Sequence, residues 1–141
     1  MFSVKFRDYY FNVELRGGKV VRTFFSRTRA FSGSGGELEE QLKKYFSGEK
    51  VRFDCEVELN VSAFARKVLE RVAEIPYGEV VTYGELAREL RTSPRAVGSA
   101  LRANPTPVLI PCHRVVARNG LGGYSCGVEI KKMLLELEGL L

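Results

Sequence analysis

The sequence predicts an α+β protein of two parts, and three observations predict it. Over the first 60 positions, short runs alternate apolar and polar residues, as half-buried strands do. Beyond them, apolar residues fall three and four apart, as on amphipathic helices. Near Asn60 one pattern gives way to the other with no long linker between them. The expected division is a supporting α/β lobe over 1–60 and a helical domain over 61–141, sizes that suit two small lobes of one chain.

In the first part, Phe11, Val13 and Leu15 alternate with Asn12 and Glu14, which predicts a strand. Gly17-Gly18 suits a two-residue hairpin, and Lys19 to Phe25 returns as a β-branched and aromatic strand. Ser26 to Gly36 is a Ser, Gly and Arg-rich loop. Glu37 to Phe46 predicts a helix with Leu38, Leu42 and Phe46 on one face, acids in its first turn, Lys43-Lys44 in its last and Gly48 as its stop. Val51, Phe53, Cys55, Val57 and Leu59 alternate with charged residues and predict a further strand.

In the second part, Ser62 caps a helix whose inner side is Ala65, Val68, Leu69, Val72 and Ile75, and Pro76-Tyr77-Gly78 ends it. Thr82 and Glu85 form a capping box for a short helix to Leu90. After the turn Arg91-Thr92, Ser93-Pro94 supply the cap and first-turn proline of a second helix to about Ala103. Two short helices about a tight turn make a helix-turn-helix candidate. Asn104-Pro105-Thr106-Pro107 ends the pair, and Val108-Leu109-Ile110 predicts a short buried strand leading to Pro111-Cys112-His113-Arg114, with Val115-Val116 extended beyond it. Gly120 to Gly123 is a loop, and Val128 to Glu138 a helix with Ile130, Met133, Leu134 and Leu137 inward and Gly139 as its stop.

Composition narrows the function. Hydrophobic residues at 45% and charged residues at 28% are globular proportions. No apolar run approaches the roughly 20 residues that cross a bilayer, and Met1 to Asp8 lacks the order of a secretion signal. The expectation is no membrane and an intracellular location, cytoplasmic or, in a eukaryote, nuclear. Three cysteines (Cys55, Cys112, Cys126) and the single His113 argue for a reducing compartment and against a metal site or a disulfide framework, with a Cys55–Cys126 bridge as the minor alternative. The net charge is +5, and all of that excess falls between Leu86 and Arg118, where Arg88, Arg91, Arg95, Arg102, Arg114 and Arg118 face Glu89 alone. Such a cluster is either a solvated face or a phosphate-binding surface, because the guanidinium fork suits phosphate. Ala96, Gly98, Ser99 and Ala100 are small, which permits either tight internal packing or close approach to DNA.

Cys112 is the candidate nucleophile. It lies in the arginine-rich segment beside the only histidine. A free thiol is only a few per cent thiolate at neutral pH, so a base or a positive field must raise that fraction. His113 is the nearest base in sequence, although neighbours in an extended chain face opposite ways, so contact needs a local turn or a bridging water. A carboxylate must orient the imidazole, and spacing does not say which one.

Ile75-Pro76-Tyr77-Gly78-Glu79-Val80-Val81-Thr82-Tyr83-Gly84-Glu85-Leu86-Ala87, Pro94-Arg95-Ala96-Val97-Gly98, Asn104-Pro105, Ile110-Pro111-Cys112-His113-Arg114-Val115-Val116, Gly123-Tyr124-Ser125 and Glu138-Gly139 resemble, in that order, the O6-alkylguanine-DNA alkyltransferases. The resemblance runs from about Phe64 to Gly139 and is weak before Ser62. It implies a ribonuclease H-like first lobe and a winged helix-turn-helix second domain. It implies direct repair without a cofactor: irreversible, single-use transfer of an alkyl group from O6 of guanine, or O4 of thymine, to Cys112. By the same resemblance His113 takes the thiol proton through a water, Glu138 orients His113, and Asn104 braces the reactive turn. Tyr83 and Ser125 serve O6, and carbonyls near Cys112 and Val115 read the amino group. Gly84, Arg95, Ala96, Ser99 and Arg118 bind double-stranded DNA, met through its minor groove by a monomer, with Ala96 and Ser99 on the helix that enters the groove, Arg118 an additional phosphate contact and Arg95 filling the gap left by a flipped base. Cys126 stands where the family has glycine, Leu137 replaces a histidine, the loop before Tyr124 is about one residue short, and the zinc ligands of some relatives are absent. The alternatives are a non-catalytic protein that binds alkylated bases, a winged-helix regulator, and a Cys–His hydrolase.

Overall fold

Alternation in the first part produces a three-stranded antiparallel sheet. The computed structural model describes residues 1–141 and divides into two units, Met1–Glu58 and Leu59–Leu141. In the first unit β1 (Phe2–Phe6), β2 (Tyr9–Arg16) and β3 (Lys19–Ser26) form a meander in that order. Phe2 pairs with Val13, and Phe11 with Phe25. Strand β1 goes beyond the sequence expectation: Phe2, Val4 and Phe6 are all buried. The hairpin between β2 and β3 needs Gly17 and Gly18, both at positive φ (59° and 79°), as a two-residue turn matched to strand twist requires.

Helix α1 (Gly36–Phe46) packs on β1. Its buried residues are Leu38, Leu42 and Tyr45. Phe46, expected on the inner face, is half-buried and stacks on Phe6 with ring centroids 4.7 Å apart. The predicted strand over Val51–Leu59 is not formed. That segment keeps its alternation of half-buried and exposed residues. Its backbone bonds to the sheet only at Val20, which donates to the Glu56 carbonyl and accepts from the Glu58 amide, each at 2.9 Å. A single bridge without continuing ladder bonds leaves it an extended strap.

The second unit begins with α2 (Ala63–Val72), capped by the Ser62 hydroxyl, which accepts from the Ala65 amide. Then come β4 (Val81–Thr82), α3 (Tyr83–Glu89), α4 (Pro94–Arg102), β5 (Val115–Val116) and α5 (Val128–Leu137). The capping box at Thr82 and Glu85 is present in both directions, and Ser93 with Pro94 starts α4 as expected. Both α2 and α3 pack on α4. Strand β4 pairs in parallel with β5, Val81 opposite Val115. No helix is long and apolar enough to cross a membrane.

Two expectations fail here. Val108-Leu109-Ile110 is a turn rather than a strand, with Val108 at φ 76° and a single bridge between Pro107 and Ile110. The buried face of α5 is Ile130, Lys131, Leu134 and Leu135, while Met133 and Leu137 are only half-buried. The helix is rotated relative to the expected face, so a lysine points inward. The α+β class itself is the observed one.

Candidate active site

Cys112, His113 and Arg114 form one turn of 3-10 helix, all three buried. The turn is set by two backbone bonds: the Cys112 amide donates to the Ile110 carbonyl at 2.7 Å and the Arg114 amide to the Pro111 carbonyl at 2.9 Å. Pro111 suits such a turn because its φ is fixed and it has no amide to satisfy. An extended chain would have sent Cys112 and His113 to opposite faces. The turn puts both inside the same unit.

Glu138, just past the end of α5, gathers this turn. Its Oε2 lies 2.7 Å from His113 Nε2. Arg114 forks onto it, Nε to Oε1 at 2.9 Å and Nη2 to Oε2 at 3.0 Å. The Gly78 amide donates to Oε1 at 3.0 Å, and Arg114 Nη1 donates to the Ile75 carbonyl at 2.7 Å. The bidentate guanidinium keeps the carboxylate ionised, so Nε2 carries the proton that faces it. In the neutral ring Nδ1 is then the basic nitrogen. Burial is the largest influence on His113 and pulls its pKa below the ordinary histidine value, against the pull of Glu138 in the other direction. The imidazole is therefore neutral at pH 7 and able to take a proton.

Cys112 is 4% exposed. Burial pushes its thiol up to about 12, while a hydrogen bond from Asn104 works the other way. Asn104 Nδ2 donates to Cys112 Sγ at 3.2 Å and to the Ile110 carbonyl at 3.0 Å, and its Oδ1 accepts from the Thr106 amide at 3.0 Å. One side chain thus pins both ends of the turn containing Val108. A β-branched residue at positive φ costs on the order of 1–3 kcal/mol and persists only where its surroundings enforce it.

A cavity of about 440 Å³ opens above Cys112, within the usual range for small-ligand sites. Tyr83, Arg95, Gly98, Arg102 and Ser125 are among its walls. The Tyr83 hydroxyl donates to the Gly123 carbonyl at 3.3 Å. Burial holds its phenol above the ordinary value, so it remains a donor. The structure therefore brings Tyr83, Arg95, Cys112 and Ser125 to one cavity, with His113, Glu138 and Asn104 behind it. Gly84, Ala96, Ser99 and Arg118 do not line it. Ser99 and Arg118 are exposed, Gly84 and Ala96 half-buried. The Val115 carbonyl accepts from Lys131 Nζ at 2.6 Å.

Arg114 requires a correction. Counted from sequence among a surface cluster, it is instead 6% exposed and bound to Glu138. The exposed arginines are Arg88, Arg91, Arg95, Arg102 and Arg118, and Glu89 among them is paired with Arg71. Sequence reasoning also missed Lys131, whose signal was its spacing: three and four before Leu134 and Leu135, and seven before Glu138. All three cysteines are free thiols.

Comparison with known proteins adds to this geometry. Residues 63–140 match the family model described as the DNA-binding domain of 6-O-methylguanine DNA methyltransferase. The chain is 51% identical to a methylated-DNA–protein-cysteine methyltransferase of Archaeoglobus fulgidus over 146 aligned residues, which cover 99% of each chain. It is similar to the crystal structure of Mycobacterium tuberculosis OGT in complex with DNA, with a TM-score of 0.82 at 30% identity over 98% of this chain and 92% of that one. A further similar structure is the O6-methylguanine-DNA methyltransferase of the archaeon Pyrococcus kodakaraensis, with a TM-score of 0.77 at 31% identity over 97% of this chain and 96% of that one.

Proposed function

The chain belongs to the 6-O-methylguanine DNA methyltransferase family, and from that premise we propose that Cys112 is its alkyl acceptor and that the buried turn around it is the reaction centre. The protein is a DNA-binding repair enzyme of the methylated-DNA–protein-cysteine methyltransferase kind. It moves a methyl group from the base to its own cysteine. The observation that carries the assignment is a thiol at the floor of a cavity, backed by a neutral histidine that a buried carboxylate orients.

The reaction follows from these groups. The Cys112 proton passes to His113 by way of a bridging water. The sulfur pair then attacks the alkyl carbon while the bond from that carbon to O6 of guanine breaks, and its electron pair stays with the base. Tyr83 donates a hydrogen bond as charge collects on O6. The proton that left Cys112 goes to the base, so the products are guanine and S-alkylcysteine. Nothing in the site cleaves a thioether, so each molecule reacts once. O4 of thymine presents the same alkylated oxygen beside a ring nitrogen and is the second substrate. Ser125 and the carbonyls near Cys112 and Val115 hold the base edge.

A base within a duplex does not reach a thiol that is 4% exposed, so it must be flipped out, at a cost of a few kcal/mol. Arg95, exposed at the rim of the cavity, fills the vacated stack. Ala96 and Ser99 on α4, with Gly84 and Arg118, meet the sugar-phosphate walls of the minor groove, where small residues permit close approach. The protein acts as a monomer on double-stranded DNA, in an intracellular compartment reducing enough to keep Cys112 a thiol. Residues 1–60 support and 61–141 react.

Mass spectrometry after mixing with a duplex carrying O6-methylguanine tests this. One methyl group should appear on Cys112 per protein molecule, and none on Cys112→Ala. Retained DNA binding with an unmodified Cys112 in the wild type defeats the assignment.

A further inference from the structure

Lys131 is fully buried, and the chemistry above gives it nothing to do. It projects inward from α5, and its Nζ donates to the Val115 carbonyl at 2.6 Å and to the Gly123 carbonyl at 3.0 Å. The same ammonium lies 5.7 Å from the centroid of the Tyr83 ring. It has no carboxylate partner. The ion pairs of this unit join Arg71 to Glu89, and His113 and Arg114 to Glu138. Burying an unpaired ammonium is costly, and a methionine fills similar space without that cost. Burial accordingly draws the Lys131 pKa down to about 8.

Two consequences follow from where the charge sits. Among the buried groups, Arg114 and Glu138 cancel, and His113 and the Cys112 thiol are neutral. Lys131 therefore leaves the centre with one positive charge in excess. That charge weakens the hold on a proton at both Cys112 and His113. It favours a thiolate beside a neutral imidazole, with the proton passed onward, over a proton parked on His113. The second consequence is mechanical. Val115 lies in β5 and Gly123 in the cavity wall. One ammonium ties both ends of the segment between them, and Tyr83 bonds to the same Gly123 carbonyl.

We propose that Lys131 is a positioning residue for alkyl transfer: its ammonium supplies the positive charge that the Cys112 thiolate needs, and its two hydrogen bonds tie Gly123, in the wall of the base cavity, back to Val115 in β5. The proposal rests on the alkyl-transfer reading. The groups facing Lys131 are Cys112 on the 3-10 turn, with His113 beside it, Tyr83 on α3, and the Val115 and Gly123 carbonyls. In the resting protein the thiol keeps its proton. When the base enters, the proton leaves Cys112 through His113 for the base, the S–C bond forms and the C–O6 bond breaks.

Three variants separate the two duties. Lys131→Arg keeps the charge and the donors. Lys131→Gln keeps amide donors without the charge. Lys131→Met keeps neither. The readout is the pH profile of Cys112 alkylation by iodoacetamide, which needs no DNA, beside methyl transfer from duplex DNA and a check of folding by circular dichroism. One pKa unit is a tenfold change in thiolate, so Lys131→Gln and Lys131→Met should react about tenfold more slowly at pH 7, with the gap from wild type closing above about pH 8 as Lys131 itself loses its charge. Lys131→Arg should restore most of the wild-type profile. If Lys131→Met does not fold, the Gln and Arg variants decide. A wild-type profile in folded Lys131→Gln overturns the proposal, even where methyl transfer is lost. A wild-type protein that takes no methyl group from DNA defeats the alkyl-transfer reading alone, because a shifted iodoacetamide profile still supports the effect of Lys131 on Cys112.

Discussion

Replacing Glu138 with glutamine removes the charge from a carboxylate that accepts from His113, twice from Arg114 and once from Gly78. The amide has one oxygen. Turned toward His113, it presents its own N–H groups to the Arg114 guanidinium. Turned toward Arg114, it leaves the imidazole facing another donor. Either way a guanidinium that is 6% exposed loses half of its fork. Breaking a buried pair from one side costs about 3–5 kcal/mol, because the remaining charge stays buried and uncompensated. With an m value of about 2 kcal/mol/M in urea, the unfolding midpoint should fall by about 1.5–2.5 M with m unchanged. The double variant Arg114→Met, Glu138→Gln should recover part of that loss, since removing both partners leaves no orphaned charge. Urea titration followed by circular dichroism measures all of these. A Glu138→Gln midpoint within about 0.3 M of wild type, or a double variant as unstable as the two single losses added, refutes the idea that Glu138 holds this corner by charge.

Other expectations follow from the same geometry. Arg95→Ala should slow transfer from duplex DNA while affecting a free alkylated base much less, as single-turnover rates would show; equal losses on both would remove Arg95 from base flipping. Gly122 has φ 75°, and a Cβ there would lie 2.7 Å from Tyr83 Cε2 and 2.9 Å from its hydroxyl. Gly122→Ala should therefore displace Tyr83 and cut the transfer rate by on the order of tenfold to a hundredfold, whereas Gly120→Ala, with nothing within 4 Å of its Cβ, should change little. Because the folded pKa of His113 lies below its ordinary value, the unfolded chain binds more protons as pH falls. Its contribution to stability is present above the ordinary histidine range and declines as pH drops through it. The urea midpoint of the wild type should fall from pH 7.5 toward pH 5 more steeply than that of His113→Phe, about which equal slopes would be decisive.

Local chemistry was legible wherever one residue decides the outcome. Thr82 with Glu85, Ser93 with Pro94, Ser62 and the Gly17-Gly18 hairpin all appear where their side chains and backbone freedom place them. Legibility failed where pairing or packing decides. Val51–Leu59 has a strand's alternation but makes only one bridge, and alternation does not say how many ladder bonds a neighbour offers. Val108-Leu109-Ile110 has a strand's composition, yet Asn104 binds it as a turn, an effect of a residue outside the run. On α5 the apolar count favoured Met133 and Leu137, while Lys131 and Glu138 took buried places because carbonyls and a guanidinium were there to receive them. Arg114 looked like surface for the same reason. Spacing alone did not name Glu138 as the partner of His113; the fold places them 2.7 Å apart across 25 positions of sequence.

The junctions on either side of the short β4–β5 pair have no slack. Thr82 ends β4 and caps α3, so Tyr83 begins the helix with no intervening loop residue. Val115 begins β5 directly after Arg114 closes the reactive turn. From the first helix of the helix-turn-helix to Cys112 the frame is therefore a chain of stiff joints, with no spring among them. Such a frame forgives substitution more readily than change in length. Added residues would be absorbed in the span from Ala117 to Gly120, but one inserted at Thr82 or Val115 would shift the register between the surface that meets the duplex and the sulfur that must meet the lesion. Drift in this lineage should therefore accumulate as changes of side chain at these joints and as changes of length only beyond them.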